Sequence, residues 1–293
     1  MEKKYKLTEE TINISGRTLY RIEALKDFSN VRKGDKGGFI EKEDNLLQSG
    51  NCWVYDDAKV YDNANVGGNA TVGGNTMVGG NATVGGNAMT YDNARVCGNA
   101  KVSGNAIVYG DARVYDNAKV SGNAKVYGVT WVFNNARVYG NADVHDNAVV
   151  CDYAEIYDNT MVYGYTVVCG HAKVCGNANI WGIVKVCDNA IVRDNAKVCG
   201  KAEVFGHTAI CGDAVITSNS DYIVFKNWWS NGRYFTWTRS NNMWKVGCFH
   251  GTGKELIEKM YKDSELSGRE YERVVKYVES ILKNNSADAL RED

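Results

Sequence analysis

The sequence predicts an all-β solenoid: a three-sided parallel β-helix of about nine coils, followed by a small C-terminal α+β domain. Three observations predict it. From Val54 to Ile216 a six-residue unit, V-x-[G/D]-N-A-x, recurs 28 times with no insertion or deletion. Its first position is Val or Ile everywhere except Thr90, and its fifth is Ala except at Thr76, Thr130, Thr160, Thr166, Val184, Thr208 and Ser220. Pro is absent from all 293 residues, as expected of strands whose N–H groups are all committed. A fixed short period means one structural unit stacked along an axis.

Residues 1–50 precede the repeat. They hold strand-like pieces at Ile12–Ile14 and Thr18–Ala24 and a Gly-rich loop at Gly34–Gly38, and read as a cap over the first coil, since an open solenoid end invites edge pairing. Residues 51–218 form the repeat tract. Alternation along each short strand points Val and Ala inward. The [G/D]-N pair supplies a corner, because Gly and Asn tolerate left-handed backbone. Three strands and three corners close a coil of 18 residues, so residues i and i+18 stack; nine coils make a rod on the order of 45 Å. Asn side chains at successive corners are expected to hydrogen-bond up the stack. After Ile216 the period stops, and residues 219–293 read as the α+β domain. Tyr222–Phe225, Tyr234–Thr238 and Trp244–Phe249 suggest three antiparallel strands. Thr252 to Glu255 is a capping box that opens a helix to about Tyr261, and Ser267 to Glu270 repeats the pattern for a second helix through about Leu282. The polar tail from Asn284 is expected to fray.

Composition sets bounds. Net charge is −1, with 34 Lys+Arg against 35 Asp+Glu, which argues against nucleic acid and membrane surfaces as partners. No apolar run is long enough to span a bilayer, and the start, Met1-Glu2-Lys3-Lys4-Tyr5-Lys6, has no leader pattern. Nine Cys is an odd count, and seven follow the repeat valine, at 97, 151, 169, 175, 187, 199 and 211. Neither CxxC nor CxxH spacing occurs, so no metal is expected. Cys151, Cys169 and Cys187 would stack on one face. The cysteines read as free thiols of a cytoplasmic protein, with disulfide or metal capture along the stack as the alternative.

A large aliphatic residue followed four positions later by a small one, over 163 of 293 residues, resembles the hexapeptide repeat of left-handed parallel β-helices. That family includes acyltransferases and γ-class carbonic anhydrases, and the resemblance implies the left-handed sense. The lead-in Leu19–Phe28 with Gly34–Ile40 is similar to a group of phage-associated and bacterial hexapeptide-repeat proteins often described as transferases. The segment Val246–Thr252 resembles their common C-terminal module.

The resemblance implies an activity that the residues support poorly. Acyltransferases of this family build their sites from loops that interrupt the repeat, together with a His at a subunit boundary. Here no loop interrupts the tract. His171 and His207, both at the Asn corner position, are the candidates, with acetyl-CoA or another acyl-CoA as the implied co-substrate; a general base also needs an orienting partner. No trio of His matches the carbonic anhydrases. Gly247 to Glu255 is one residue too long for a phosphate loop and lacks the Ser/Thr after Lys254.

Folding the tract at 18 gives three outward faces. The first carries an aromatic ladder of Tyr55, Tyr91, Tyr109, Tyr127, His145, Tyr163 and Trp181. The second begins with Lys59, Arg95 and Arg113 and then turns apolar. The third carries Lys101, Lys119, Arg137 and Lys173 and reads as a solvated surface, with Glu155 breaking its charge. Corner Asn residues are lost at Val129, Tyr165, Ile183 and Lys201 on one side of the second face and at Tyr153, His171 and His207 on the other. These departures converge on a patch of Val129, Trp131, Phe133, Val149, Cys151, Tyr153, Tyr165, Val167, Cys169 and His171, and charge-depleted aromatic patches mark interfaces. The leading expectation is a non-catalytic binding or scaffold protein that self-associates through this patch, with packing of the terminal domain back on the rod as the patch's other reading; the family resemblance implies a homo-dimer or trimer and a phage or prophage origin. The alternatives are an acyl-CoA-dependent acyltransferase, and a phage inhibitor of host defence that binds a host protein or a nucleotide. No resident cofactor is expected.

Overall fold

The computed structural model describes residues 2–289, with side chains through Lys283. It is a parallel β-solenoid of about ten turns with 18-residue spacing, plus a small C-terminal domain of four antiparallel strands and two helices. Each coil contributes one two-residue strand to each of three faces. The first face runs through Trp53–Val54, Thr71–Val72 and on to Val215–Ile216. The second runs from Lys59–Val60 to Glu203–Val204, and the third from Asn65–Val66 to Ala209–Ile210. The register is constant: Arg113 pairs with Trp131, Trp131 with Val149, and Val149 with Val167.

The repeat positions divide the work. Val and Ala at positions one and five are fully buried along the tract, each Val adding roughly 1.5–3 kcal/mol of burial. Position three makes the corner in the left-handed region, as at Gly74 (φ 64°) and Asp92 (φ 57°). The fourth-position Asn therefore does not bend the chain but bonds along the axis, correcting the shared role expected of the pair. Asp at position three has its own use. Its carboxylate accepts the N–H of the third residue one coil on, as Asp92 does from Gly110 at 3.0 Å and Asp158 from Gly176 at 3.0 Å.

Ten coils replace the nine expected, because the lead-in joins the solenoid. The strand Lys36–Ile40 pairs in parallel with Lys59–Val60, and Leu46 bridges Val66. Its step of 20 residues, rather than 18, hid it from the repeat. The Gly34–Gly38 segment is thus partly strand, and the cap strands extend to Tyr5–Ile14 and Arg17–Ala24. Buried Lys4 closes this end, donating from Nζ to the Cys52 carbonyl at 2.9 Å, while the Tyr5 hydroxyl donates to Leu46 O at 2.7 Å. Desolvation of that buried ammonium holds its pKa below the usual lysine range.

At the far end the last coil has no successor to accept its N–H groups. Side chains take over: Asn219 Oδ1 accepts from Glu203 N at 2.8 Å, Thr236 Oγ1 from Ala209 N at 3.0 Å and Ser240 Oγ from Val215 N at 2.7 Å. The C-terminal sheet has four strands, Tyr222–Lys226, Tyr234–Thr238, Met243–Val246 and Phe249–Gly251. The expected third strand splits because Gly247 (φ 56°) turns it into a hairpin. Helix α1, Gly253–Asp263, starts at the Thr252 capping box, where Thr252 N donates to Glu255 Oε2 at 2.8 Å. Helix α2, Glu265–Ala289, begins before the expected box at Ser267. Ser264 is the single extended residue between the helices, and its Oγ accepts the Ser267 N–H at 3.1 Å. The tail from Asn284 continues this helix to Ala289; residues 290–293, also in the tail expected to fray, lie outside the described residues. The helices and sheet share their own core of Phe235, Trp237, Trp244, Leu256, Tyr271 and Val275. No helix among the described residues is long and apolar enough to cross a membrane.

Candidate functional site

The corner asparagines frame the site. Between the third and first faces an amide ladder runs unbroken from Asn69 through Asn87, Asn105, Asn123, Asn141, Asn159, Asn177 and Asn195 to Asp213, each Nδ2 donating to the next Oδ1 at 2.9–3.2 Å. The two ladders that border the second face are shorter. One runs Asn75–Asn93–Asp111 and gives way to Val129. The other runs Asn63–Asn81–Asn99–Asn117–Asn135 and gives way to Tyr153. Both end within two coils of each other.

The second face changes character at the same height. Its outward column reads Arg95, Arg113, Trp131, Val149, Val167, Lys185. Arg113 lays its guanidinium 4.9 Å from the Trp131 ring centroid, and Tyr115 meets that ring edge-on at 6.2 Å. Four coils on from Arg113, Lys185 pairs with Glu203 at 3.2 Å and ends the apolar run. Tyr165 (66% exposed), Tyr153 (56%) and Val129 (49%) are large apolar corner residues facing outward. All ten residues of the sequence-derived patch thus lie on this face or at its two corners. Ile183, 56% exposed on the same corner as Val129 and Tyr165, extends the patch; its signal was the same missing Asn. Phe205, also exposed, lies one coil past Cys187.

The cysteines are not all free. Cys169 and Cys187 form a disulfide between adjacent coils, with Cα atoms 4.6 Å apart. The stack was legible in the sequence, but the free-thiol reading fails there because in-register neighbours on parallel strands come within bonding range. Cys52, Cys97, Cys151, Cys175, Cys199, Cys211 and Cys248 remain thiols. No group of three His, Cys, Asp or Glu arranged to hold a metal occurs among the described residues.

On the first face, five of the seven ladder residues stack continuously. Ring centroids lie 4.7 Å apart for Tyr109–Tyr127, 4.8 Å for Tyr127–His145, 4.9 Å for His145–Tyr163 and 6.1 Å for Tyr163–Trp181. Tyr55 instead donates to Asn30 Oδ1 at 2.8 Å, and Tyr91 donates to Met89. Within the stack, His145 Nδ1 lies 3.0 Å from Asp146 Oδ1, and this bond holds the Asp146 carboxyl below the usual range. Burial, then the neighbouring Asp143, pushes the Tyr127 hydroxyl up to about 12.

The two proposed catalytic histidines are placed differently. His171 stacks on Tyr153 at 4.9 Å, and His207 stacks at 4.5 Å on Tyr234 of the C-terminal domain. They share an open hollow of about 440 Å³ with Lys173, Asn189 and Ile191. Neither ring has a carboxylate hydrogen-bond partner among the described residues; the histidine that has one is His145. Beside the hollow, Glu155 sits 3.9 Å from both Arg137 and Lys173, placing one negative charge between two cations of the third face.

Comparison with known proteins gives two local matches. The family model described as the YdcK beta solenoid repeat matches residues 94–110 and 100–116. The chain is 40% identical over 62 residues to a protein of Escherichia coli (strain K12) named "Uncharacterized acetyltransferase YdcK". That match covers 18% of this chain and 19% of the relative, so the chain spans about a fifth of that protein's length. Together with the 18-residue coil, these similarities fit a hexapeptide-repeat β-helix family.

Proposed function

We propose that this protein acts as a binding scaffold, self-associating through the apolar stretch of the second face centred on Trp131. The observation that carries the reading is the coincidence of three changes within two adjacent coils. The outward column passes from Arg113 to Trp131, and the amide ladders on both sides end at Val129 and Tyr153. A solvated rod has no physical need of these changes. An Asn at each corner adds a hydrogen bond, whereas exposed Val, Ile and Tyr add only apolar surface, which becomes stabilising when a partner covers it. Sedimentation equilibrium across a concentration series tests the reading. A dimer or trimer that dissociates on Trp131→Asp supports it; a wild-type chain that stays monomeric refutes it.

A second reading is acyl-CoA-dependent acyl transfer. It rests on the name of the similar Escherichia coli protein, an uncharacterised acetyltransferase, and on the His145–Asp146 pair, since a carboxylate-oriented imidazole is the usual form of a general base. Acetyl-CoA would then be a substrate. Calorimetric titration with acetyl-CoA separates the readings: heat of binding, abolished by His145→Ala, favours transfer over the scaffold.

A further inference from the structure

Cys151, Cys169 and Cys187 occupy one outward column of the second face, one residue per coil. Their backbones are equivalent: the three N–H groups donate to the Val168, Val186 and Val204 carbonyls at 3.0, 2.9 and 3.0 Å, and the valines before them pair in register. The disulfide joins the second and third cysteines, and the first is a thiol. In a parallel stack of constant pitch, about 4.8 Å, the step from Cys151 to Cys169 repeats the step from Cys169 to Cys187. Cys151 therefore flanks Cys169 on the side opposite its bonded partner. Exchange at a disulfide is a displacement in which the attacking, central and leaving sulfurs approach a line, and the backbone register sets the three residues in one column with Cys169 in the middle.

We propose that the column is a thiol–disulfide exchange site, in which the disulfide steps between adjacent coils. The Cys151 thiolate attacks Cys169 Sγ; the Cys151–Cys169 bond forms as the Cys169–Cys187 bond breaks. Cys187 leaves as a thiolate and takes up the proton that Cys151 released. The number of disulfides is unchanged, so neither oxidant nor reductant is consumed. Cys151 Sγ lies 3.9 Å from the Asp152 carboxylate, which also accepts from Asn134 Nδ2 at 3.0 Å and from the Gly170 N–H at 3.1 Å. Burial, then Asp152, pushes the Cys151 thiol up to about 11. Asp152 is the charged group beside it, and its column neighbours are Phe133 and Cys169, so the exchange is slow at neutral pH and accelerates as pH rises. The step is intramolecular and does not depend on self-association.

The test uses the full chain, reduced and then treated with oxidised glutathione between about pH 7 and about pH 9, where thiolate fraction governs the rate. Acid quenching, unfolding, alkylation and peptide mass mapping identify the bonds. Cleavage at Lys173 and Lys185 separates Cys169 from Cys187, and cleavage at Asp152, Glu155 or Asp158 separates Cys151 from Cys169. The expected result is two isomeric one-disulfide species, Cys151–Cys169 and Cys169–Cys187, interconverting faster at higher pH and at a rate independent of protein concentration. Cys187→Ser should hold only the first bond and Cys151→Ser only the second, with unchanged circular dichroism. A wild-type chain that holds Cys169–Cys187 alone at every pH overturns the proposal. So does a wild-type chain that forms no disulfide in this column, or a folded Cys187→Ser chain that never forms Cys151–Cys169.

Discussion

The Thr236 hydroxyl accepts a hydrogen bond from the Ala209 N–H at 3.0 Å, so a side chain of the C-terminal sheet stands where a further coil would place a carbonyl. Asn219 and Ser240 do the same for Glu203 and Val215 on the other two faces. The end of the rod is thereby closed to strand addition, the hazard of any unpaired sheet edge.

Thr236 is buried, so Thr236→Val keeps its shape while leaving the Ala209 N–H without an acceptor. The Ala209 N–H is only part-buried, so the expected cost is about 1 kcal/mol, the low end of the penalty for an orphaned donor, measured by urea unfolding. Light scattering on the same samples should show more end-to-end association than wild type.

Restoring the corner amides separates stability from association. Val129→Asn with Tyr165→Asn places amides between Asp111, Asn147 and Ile183 on a corner that already carries a ladder at its start. Thermal stability should hold, or rise by up to about 1 kcal/mol for a new bond. Sedimentation equilibrium should show the proposed self-association weakened, because the double variant removes two of the most exposed apolar residues of the face.

Thr90 is the one Thr among the first-position Val and Ile residues, and its hydroxyl is buried without a hydrogen-bond partner. The threonines at position five at 130, 160, 166 and 208 instead donate to the carbonyl three residues back. Thr90→Val should therefore stabilise the protein by about 1–2 kcal/mol, read as a rise in the denaturation midpoint at constant slope.

The His145–Asp146 bond should make stability depend on acid. Asp146 has its folded pKa depressed below the ordinary 3.8 by His145. Its contribution is therefore fully present above that value and is lost as pH falls through the lower folded pKa. Asp146→Asn should lower the melting temperature slightly at neutral pH, and the gap from wild type should close below about pH 4. Differential scanning calorimetry across that range checks it; a gap that persists at the lowest pH rules out the linkage.

Much of the solenoid was legible because its register is written locally. Val72 and Thr90 stack as the period of 18 requires, even though Thr90 departs from the repeat's aliphatic first position, and the loss of Asn at 129, 153 and 165 already located the apolar face. What escaped had no local signature. Phe39, Ile40 and Leu46 add strand positions ahead of the hexapeptide, and their 20-residue step to Lys59, Val60 and Val66 obscures them. The disulfide needed a choice among stacked sulfurs that spacing leaves open. The His145 pair joins adjacent residues at repeat positions two and three, a contact that depends on the left-handed corner at Asp146 (φ 59°) turning its carboxylate back toward the ring.

The unbroken step of eighteen also sets which changes of length the protein can survive. Excising one complete turn would shorten the rod yet leave every stripe of side chains aligned. Excising a single six-residue unit would preserve each strand and corner while rotating everything downstream by a third of a revolution. The terminal domain would then dock on the wrong side, and the oily surface would be cut in two.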